Sequence, residues 1–326
     1  MPVLDLLQVQ IGKETTYGTA VSGTAKLMGL SEISMTPELE GFINQDIRGS
    51  LQPGVIATLG KVGASAKFKT KVLYQDFPYW LDGLFGTATP TGANPYTYTY
   101  AAPTTAVPTG PRMSTLLYGD STGTYKMTSS LVSAMTVKGE SNQEWMADVE
   151  LFGQSVTTAT LAGLSDRTVT VAMGNNTSLW IDAFSGTMGT TAIATTAFAF
   201  ELKLKPQRDR KYYFGASTAG GFYDGRWMPE DNTLMLSLEF NATSKAYLDA
   251  IISTTALAGY QVRLQSTTGA NAITTLNFAG YCMEPPEIFT DRDGVSTLEM
   301  TLQGTYNSAL TNWFTATVVN AVSALP

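Results

Sequence analysis

Two distant segments of the chain alternate apolar and polar residues: Ala147-Asp-Val-Glu-Leu-Phe-Gly153 and Leu298-Glu-Met-Thr-Leu-Gln-Gly304. A period of two predicts strands. Ala147, Val149 and Leu151 face the core in one, and Leu298, Met300 and Leu302 in the other. A polar stretch precedes each, at residues 139–144 and 290–295, so each strand closes a predicted hairpin. Two further strands are predicted over residues 66–74 and 234–240. Each leads into a segment with apolar residues at i, i+1, i+4 and i+5, the face of a short helix.

The two helical segments match at a constant shift. Asp76-Phe-Pro-Tyr-Trp-Leu-Asp-Gly-Leu-Phe-Gly-Thr87 lies over Thr243-Ser-Lys-Ala-Tyr-Leu-Asp-Ala-Ile-Ile-Ser-Thr254, pairing Trp80 with Tyr247, Leu81 with Leu248 and Asp82 with Asp249. Asp76 and Thr243 are the cap candidates, with Asn241 as a second option, and Pro78 sits in a first turn that tolerates proline. A third match sets Ile33-Ser-Met-Thr-Pro37 against Leu202-Lys-Leu-Lys-Pro206, an alternating strand ended by proline. Three matches in the same order predict a tandem duplication, residues 1–160 and 161–326. The shift falls by about sixteen residues before the last hairpin, which assigns the first copy a long insertion, residues 88–125. With Tyr96, Tyr98 and Tyr100 alternating, that insertion reads as an ordered strand or arm, and the boundary falls in the Thr/Ala/Gly stretch 154–166.

Composition supports strands over helices. Only 14% of the 326 residues are charged, so Thr, Ser, Gly and Ala cover the surface, and the chain reads as all-β dominated. The net charge of −7 disfavours binding to nucleic acid or anionic membranes. The nearest basic cluster, Lys203, Lys205, Arg208, Arg210 and Lys211, contains Asp209 and reads as a solvated strand end. No apolar stretch reaches the roughly 18 residues of a membrane span. The N-terminus lacks a basic region and is interrupted by Asp5, so no signal peptide is expected and synthesis is assigned to the cytosol.

The chain has no histidine, which removes Ser-His-Asp and Cys-His catalysis and histidine metal sites. Cys282, the one cysteine, lies in an apolar strand and reads as a buried thiol. The pairs Asp148/Glu150 and Glu38/Glu40 have strand spacing and read as solvated faces, not acid/base pairs. Asp291-Arg-Asp293-Gly294 opens like a calcium loop, but Leu302 stands where the twelfth-position glutamate belongs; a hairpin turn fits better. The glycine-rich pieces 119–123 and 215–221 lack the lysine and strand-to-helix context of a phosphate loop. No catalytic residue, metal or cofactor is assigned. Trp180, Trp227 and Trp313 leave open a carbohydrate-binding module, which would expose them on a shallow face.

The opening Val9-Gln-Ile-Gly-Lys-Glu-Thr-Thr-Tyr-Gly-Thr-Ala-Val21 resembles the start of phage tail tube (major tail) proteins of long-tailed phages. The order that follows is also like that family: a strand within 25–34, Pro37-Glu-Leu-Glu, a polar loop through Gly60, a strand, a short aromatic helix and a closing hairpin. The likeness covers essentially the whole chain, although many members have a single tube domain. It implies a β-sandwich or barrel-like fold with one short flanking helix, here duplicated in tandem.

The resemblance further implies a virion tail protein built from stacked rings around a channel. Two domains per chain would give a pseudo-sixfold ring from a homotrimer. The implied partners are further copies of the chain, the tape-measure protein, and the tail terminator and tail-tip proteins, with transient, non-specific passage of DNA and no membrane. Asp148, Glu150, Glu299 and Thr301, opposite the core-facing sets, are the candidate lumen-facing residues. Lys67, Lys69 and Lys71 are expected to pair across strands with those carboxylates if the two elements are neighbours. Phe42, Ile43, Ile47 and Leu51, with Tyr96, Tyr98 and Tyr100, are the candidate ring-stacking residues. A contractile-injection tube or another virion component, such as a decoration protein, fits the same pattern.

Overall fold

The alternating segments become strands, and the order in which they pair repeats along the chain. The computed structural model describes residues 6–43, 49, 52, 56–106, 113–193, 196–253, 256–287, 289–292 and 294–325. Ile47 and Leu51 lie outside the described residues. The first half carries β1 (Gln8–Lys13), β2 (Ala25–Lys26), β3 (Leu30–Ile43), β4 (Ala57–Lys71), α1 (Phe77–Phe85), β5 (Tyr96–Ala101), β6 (Ser114–Gly119), β7 (Thr124–Glu140), β8 (Met146–Gly153) and β9 (Ser155–Thr158). The second carries β10 (Thr177–Ala183), β11 (Ala192–Ile193), β12 (Ala197–Leu204), β13 (Pro206–Lys211), β14 (Gly221–Trp227), β15 (Thr233–Glu239) and α2 (Ala242–Ile251). It ends with β16 (Gly259–Gly269), β17 (Ala272–Cys282), β18 (Thr290–Arg292), β19 (Val295–Gly304) and β20 (Phe314–Asn320). The fold is all-β dominated.

In the first half, β3, β4, β8 and the C-terminal part of β7 form one sheet. β2, β1, β6, the N-terminal part of β7 and β9 form the facing one. The second half pairs β12, β15, β19 and β18, opposite β11, β10, β16, β17 and β20. Thus β1–β6, β3–β4, β4–β8 and β6–β7 recur as β10–β16, β12–β15, β15–β19 and β16–β17. The register recurs too: Met35, Ala66 and Leu151 lie side by side, as do Leu202, Leu234 and Leu302. Even a bulge repeats, between Leu30 and Glu32 and between Ala197 and Ala199. The register therefore sets Met35, not Ile33, in the place of Leu202. A two-residue offset keeps every side chain on its own face, so alternation alone does not detect it.

Additions separate the halves. Within the 88–125 insertion, β5 joins the edge of β20, at the far end of the chain, and β6 belongs to the repeated sheet. The hairpin β13–β14 lies between β12 and β15, and among the described residues the first half has no counterpart between β3 and β4. The 154–166 stretch is not plain linker, because β9 pairs with β7.

β7 crosses from one sheet to the other near Ser129, whose φ is 51°. That conformation is uncommon for a residue with a side chain. Buried Glu14 stabilises it by accepting from the Ser129 N–H (2.8 Å), Ser129 Oγ (2.7 Å) and Thr115 Oγ1 (2.6 Å). Glu14→Ala would strand three buried donors and is expected to cost about 3 kcal/mol. A denaturant midpoint unchanged from the wild type would remove that role.

The helices differ in their surroundings. All nine residues of α1 are buried, whereas α2 buries Ser244 and Leu248. Asn241 caps α2, not Thr243: its side chain accepts from the Thr243 and Ser244 N–H groups (2.8 and 3.1 Å), and Ser244 Oγ accepts from the Asn241 N–H. Asp76 makes no cap bond. Its carboxylate accepts from the Met28 N–H at 3.0 Å and pairs with Arg167, while burial pushes its pKa up against the pull of that guanidinium.

One hydrophobic core runs through both halves. Trp145 meets Phe200 edge-on at 4.8 Å, and Phe85 stacks on Phe314 at 5.2 Å. β7 also pairs antiparallel with β12 over Met135–Glu140 and Ala199–Leu204. The result is one antiparallel sheet in the order β3–β4–β8–β7–β12–β15–β19–β18.

Candidate assembly surfaces

The outer face of this eight-stranded sheet carries a lattice of charge. In β4, alternation sends Phe68 and Ala66 to the core and Lys67 and Lys69 outward. Lys67 stands opposite Glu150 and bridges it at 2.6 Å, which raises the lysine pKa through that hydrogen bond. Lys69 stands opposite Asp148, yet its ammonium lies 3.5 Å from Glu32 on the other flanking strand. Lys71 reaches Glu144 at 2.8 Å. Lys138 lies 3.9 Å from Asp148 and 3.3 Å from Glu201, which Lys203 also approaches at 2.8 Å. Burial would raise the Glu201 pKa, but hydrogen bonds from Lys203 and Lys138 outweigh it and hold the carboxyl below its ordinary range.

Asp148, Glu150, Glu299 and Thr301 all lie on this face, opposite core-facing neighbours. Of the lysines anticipated from spacing, Lys67 meets the expected carboxylate, while Lys69 and Lys71 take other partners. Glu32, Lys138, Glu201 and Lys203 were missed. β7 is seventeen residues long and changes sheets midway, so its alternation carries no mark of which half faces out.

The second surface is apolar. Beyond the sheet, β3 and β4 continue as a two-stranded arm, with Gly41 opposite Leu59 and Ile43 opposite Ala57. Leu39, Phe42, Ile43, Ile56 and Leu59 are all exposed along it, Leu39 by 67%. A run of exposed large apolar side chains marks an interaction surface. Of the candidate stacking residues, Phe42 and Ile43 are among these exposed side chains, and Leu39, Ile56 and Leu59 join them. Tyr98 and Tyr100 do not. Both are buried in the core, with Tyr98 Oη donating to the Val322 carbonyl (2.9 Å) and Tyr100 Oη to Asp82 Oδ1 (2.7 Å). Tyr96 is half-buried. The alternation of 96–100 correctly marks a strand, but β20 pairs along its edge and α1 packs on the face that carries Tyr100.

The hairpin β13–β14 braces the root of the arm. Arg210 pairs with Glu38 at 2.5 Å and lies over the Phe152 ring, and Tyr212 Oη donates to the Val62 carbonyl. Arg208 is buried instead of solvated. Its side chain is 1% exposed and pairs with Asp224, itself 5% exposed. Its Nη1 donates to the carbonyls of Gly83 (2.6 Å) and Val132 (2.8 Å), and Nη2 to that of Leu84 (3.0 Å). Gly83 and Leu84 end α1, where carbonyls lack helical partners and a cation is favourable. Burial pushes the Arg208 pKa down, and Asp224 opposes that. Lys203, Lys205 and Lys211 are solvated as expected, whereas Arg208 forms an internal clasp because Asp224 lies on the returning strand β14.

The remaining candidates are structural. Cys282 is buried, which pushes its thiol up, and its Sγ donates to the Glu284 carbonyl. Trp227 stacks on Phe85 at 5.2 Å, Trp313 is buried, and Trp180 is half-buried, so they form no shallow binding face. Arg292 pairs with Val295, and the Gly294 N–H donates to Asp291; Asp293 lies outside the described residues. Among the described residues, no group of three His, Cys, Asp or Glu side chains is placed to hold a metal. Nor, among the described residues, is any helix long and apolar enough to cross a membrane.

Among the described residues, the two-layer β architecture leaves a long sheet with unpaired outer edges and an exposed apolar arm, surfaces open to other molecules. The chain matches the phage tail tube protein family over residues 6–311, and it belongs to that family. It is a structural subunit of the virion tail. No curated protein is similar enough to the chain to be matched.

Proposed function

We propose that the chain consists of two tube domains in tandem, residues 1–160 and 161–326, and that three chains close a pseudo-sixfold ring. The observation that carries this is the eight-stranded sheet, in which one set of pairings occurs twice and the halves join strand to strand. Closing the sheet on itself removes both exposed edges. Three chains contribute 24 strands, which at about 4.8 Å spacing and about 40° tilt give a backbone diameter of roughly 50 Å. The charged face lines the channel, with Asp148, Glu150, Glu299 and Thr301 toward the lumen. The arm, through Leu39, Phe42 and Ile43, contacts the next ring and stacks rings into a tube. That tube is built around the tape-measure protein in the host cytoplasm, is bounded by tail terminator and tail-tip proteins, and later conducts DNA.

The ion pairs give this channel its working property. Lys67, Lys69, Lys71, Lys138 and Lys203 each have a carboxylate within 4 Å, so the lining offers phosphates few unneutralised cations. Tubes of a triple variant, Asp148→Asn, Glu150→Gln and Glu201→Gln, are expected to retain short duplex DNA at low salt and release it as salt rises. Wild-type tubes retain none. Equal retention by both, measured by co-sedimentation, would remove the charged face from the channel. The ring itself is tested by electron microscopy of concentrated protein: rings or hollow tubes support the proposal. Strict monomers that fail to polymerise even with the tail-tip partner oppose it.

A further inference from the structure

Resting on the proposed ring, we infer the register in which one chain joins the next: Glu32 of β3 stands directly opposite Arg292 of β18 in a second copy. Among the described residues, β3 and β18 each have a strand on one side only, β4 and β19 respectively. They are the two free ends of the eight-stranded sheet, and their counterparts are already joined inside the chain.

The recurring register fixes the counterparts. Leu302 stands in the place of Leu151, so Thr297 stands in the place of Met146. Lys138 pairs with Met146 and Thr290 with Thr297, so Thr290, Asp291 and Arg292 take the places of Lys138, Gly139 and Glu140. On the other strand the shared bulge gives Glu32, Ile33 and Ser34 the places of Ala199, Phe200 and Glu201. The internal junction pairs Glu140 with Ala199, Gly139 with Phe200 and Lys138 with Glu201. Carried to the free ends, it pairs Arg292 with Glu32, Asp291 with Ile33 and Thr290 with Ser34.

The charges on the two strands agree with this register. The internal junction carries a cation on β7 and an anion on β12, Lys138 and Glu201, 3.3 Å apart. The external one carries a cation on β18 and an anion on β3, the same polarity one side-chain repeat along. In the single chain Arg292 rests on Glu140 at 3.2 Å with its guanidinium over Phe198, and Glu32 is 3.5 Å from Lys69. Ring closure brings these two opposite charges together. Ile33, half-buried at the sheet edge, is covered by the same step.

A cysteine pair tests the register. In a Cys282→Ala background, Glu32→Cys with Arg292→Cys is expected to give, on mild oxidation, disulfide-linked dimers and trimers ending at the closed trimer. Either cysteine alone gives none. Separately, Glu32→Arg or Arg292→Glu is expected to raise the protein concentration needed for assembly by about tenfold, from like charges set face to face, and the double reversal to restore it. Circular dichroism and melting temperature identify any variant that fails to fold, and the cysteine pair does not depend on the charge variants. Normal tubes with no cross-link, and single reversals that assemble like wild type, would overturn the register while leaving the tube intact. Absence of rings or tubes from the unmodified protein with its tail-tip partner would overturn the ring reading beneath it.

Discussion

Arg208→Ala lowers the stability of the subunit by about 3–5 kcal/mol, the scale for breaking a buried ion pair from one side. The substitution leaves Asp224 as an uncompensated buried charge and removes the donor to three carbonyls, two of them at the end of α1. Arg208→Lys keeps the charge but lacks the fork that reaches Gly83, Val132 and Leu84 together, so it recovers only part of the loss. The pair Arg208→Met with Asp224→Leu, which removes both charges, is expected to be more stable than Arg208→Ala alone. Denaturant midpoints order the four proteins. An Arg208→Ala midpoint equal to that of the wild type would show that the clasp contributes nothing.

The second large effect separates folding from assembly. Replacing Leu39, Phe42 and Ile43 together by Ser leaves the fold intact, because all three are exposed and project beyond the sheet that holds the core. The variant is expected to match the wild type in circular dichroism and melting temperature while forming no tubes. A contact this apolar loses most of its driving force when its anchors become polar. Tubes of normal length from the triple variant would assign stacking to another surface, such as exposed Tyr213 and Phe214 at the end of β13–β14.

Strands, helices and core faces were legible in the sequence because each depends on neighbours two to five residues away. Ala147, Val149, Leu151, Leu298, Met300 and Leu302 are all buried as their alternation requires. What failed depended on partners distant in the chain. Tyr98 and Tyr100 have the right period but lie against β20 and α1, so aromatics that read as a surface are core. Arg208 sits in a basic run that reads as solvated until β14 returns Asp224 beside it. Asp76 occupies a cap position, yet Arg167 and the Met28 N–H claim its carboxylate. The matched strand of the two halves was offset by two residues because that shift preserves which face each side chain takes.

In the proposed ring, three chains each give eight strands to one closed sheet. Electron cryomicroscopy of assembled tubes, with the number of chains per ring counted from the reconstruction, tests it most directly. The expected reconstruction has three chains per ring, a pseudo-sixfold outline, and Asp148, Glu150, Glu299 and Thr301 on the inner wall. Six chains per ring, or a wall in which that sheet face points outward, would contradict it.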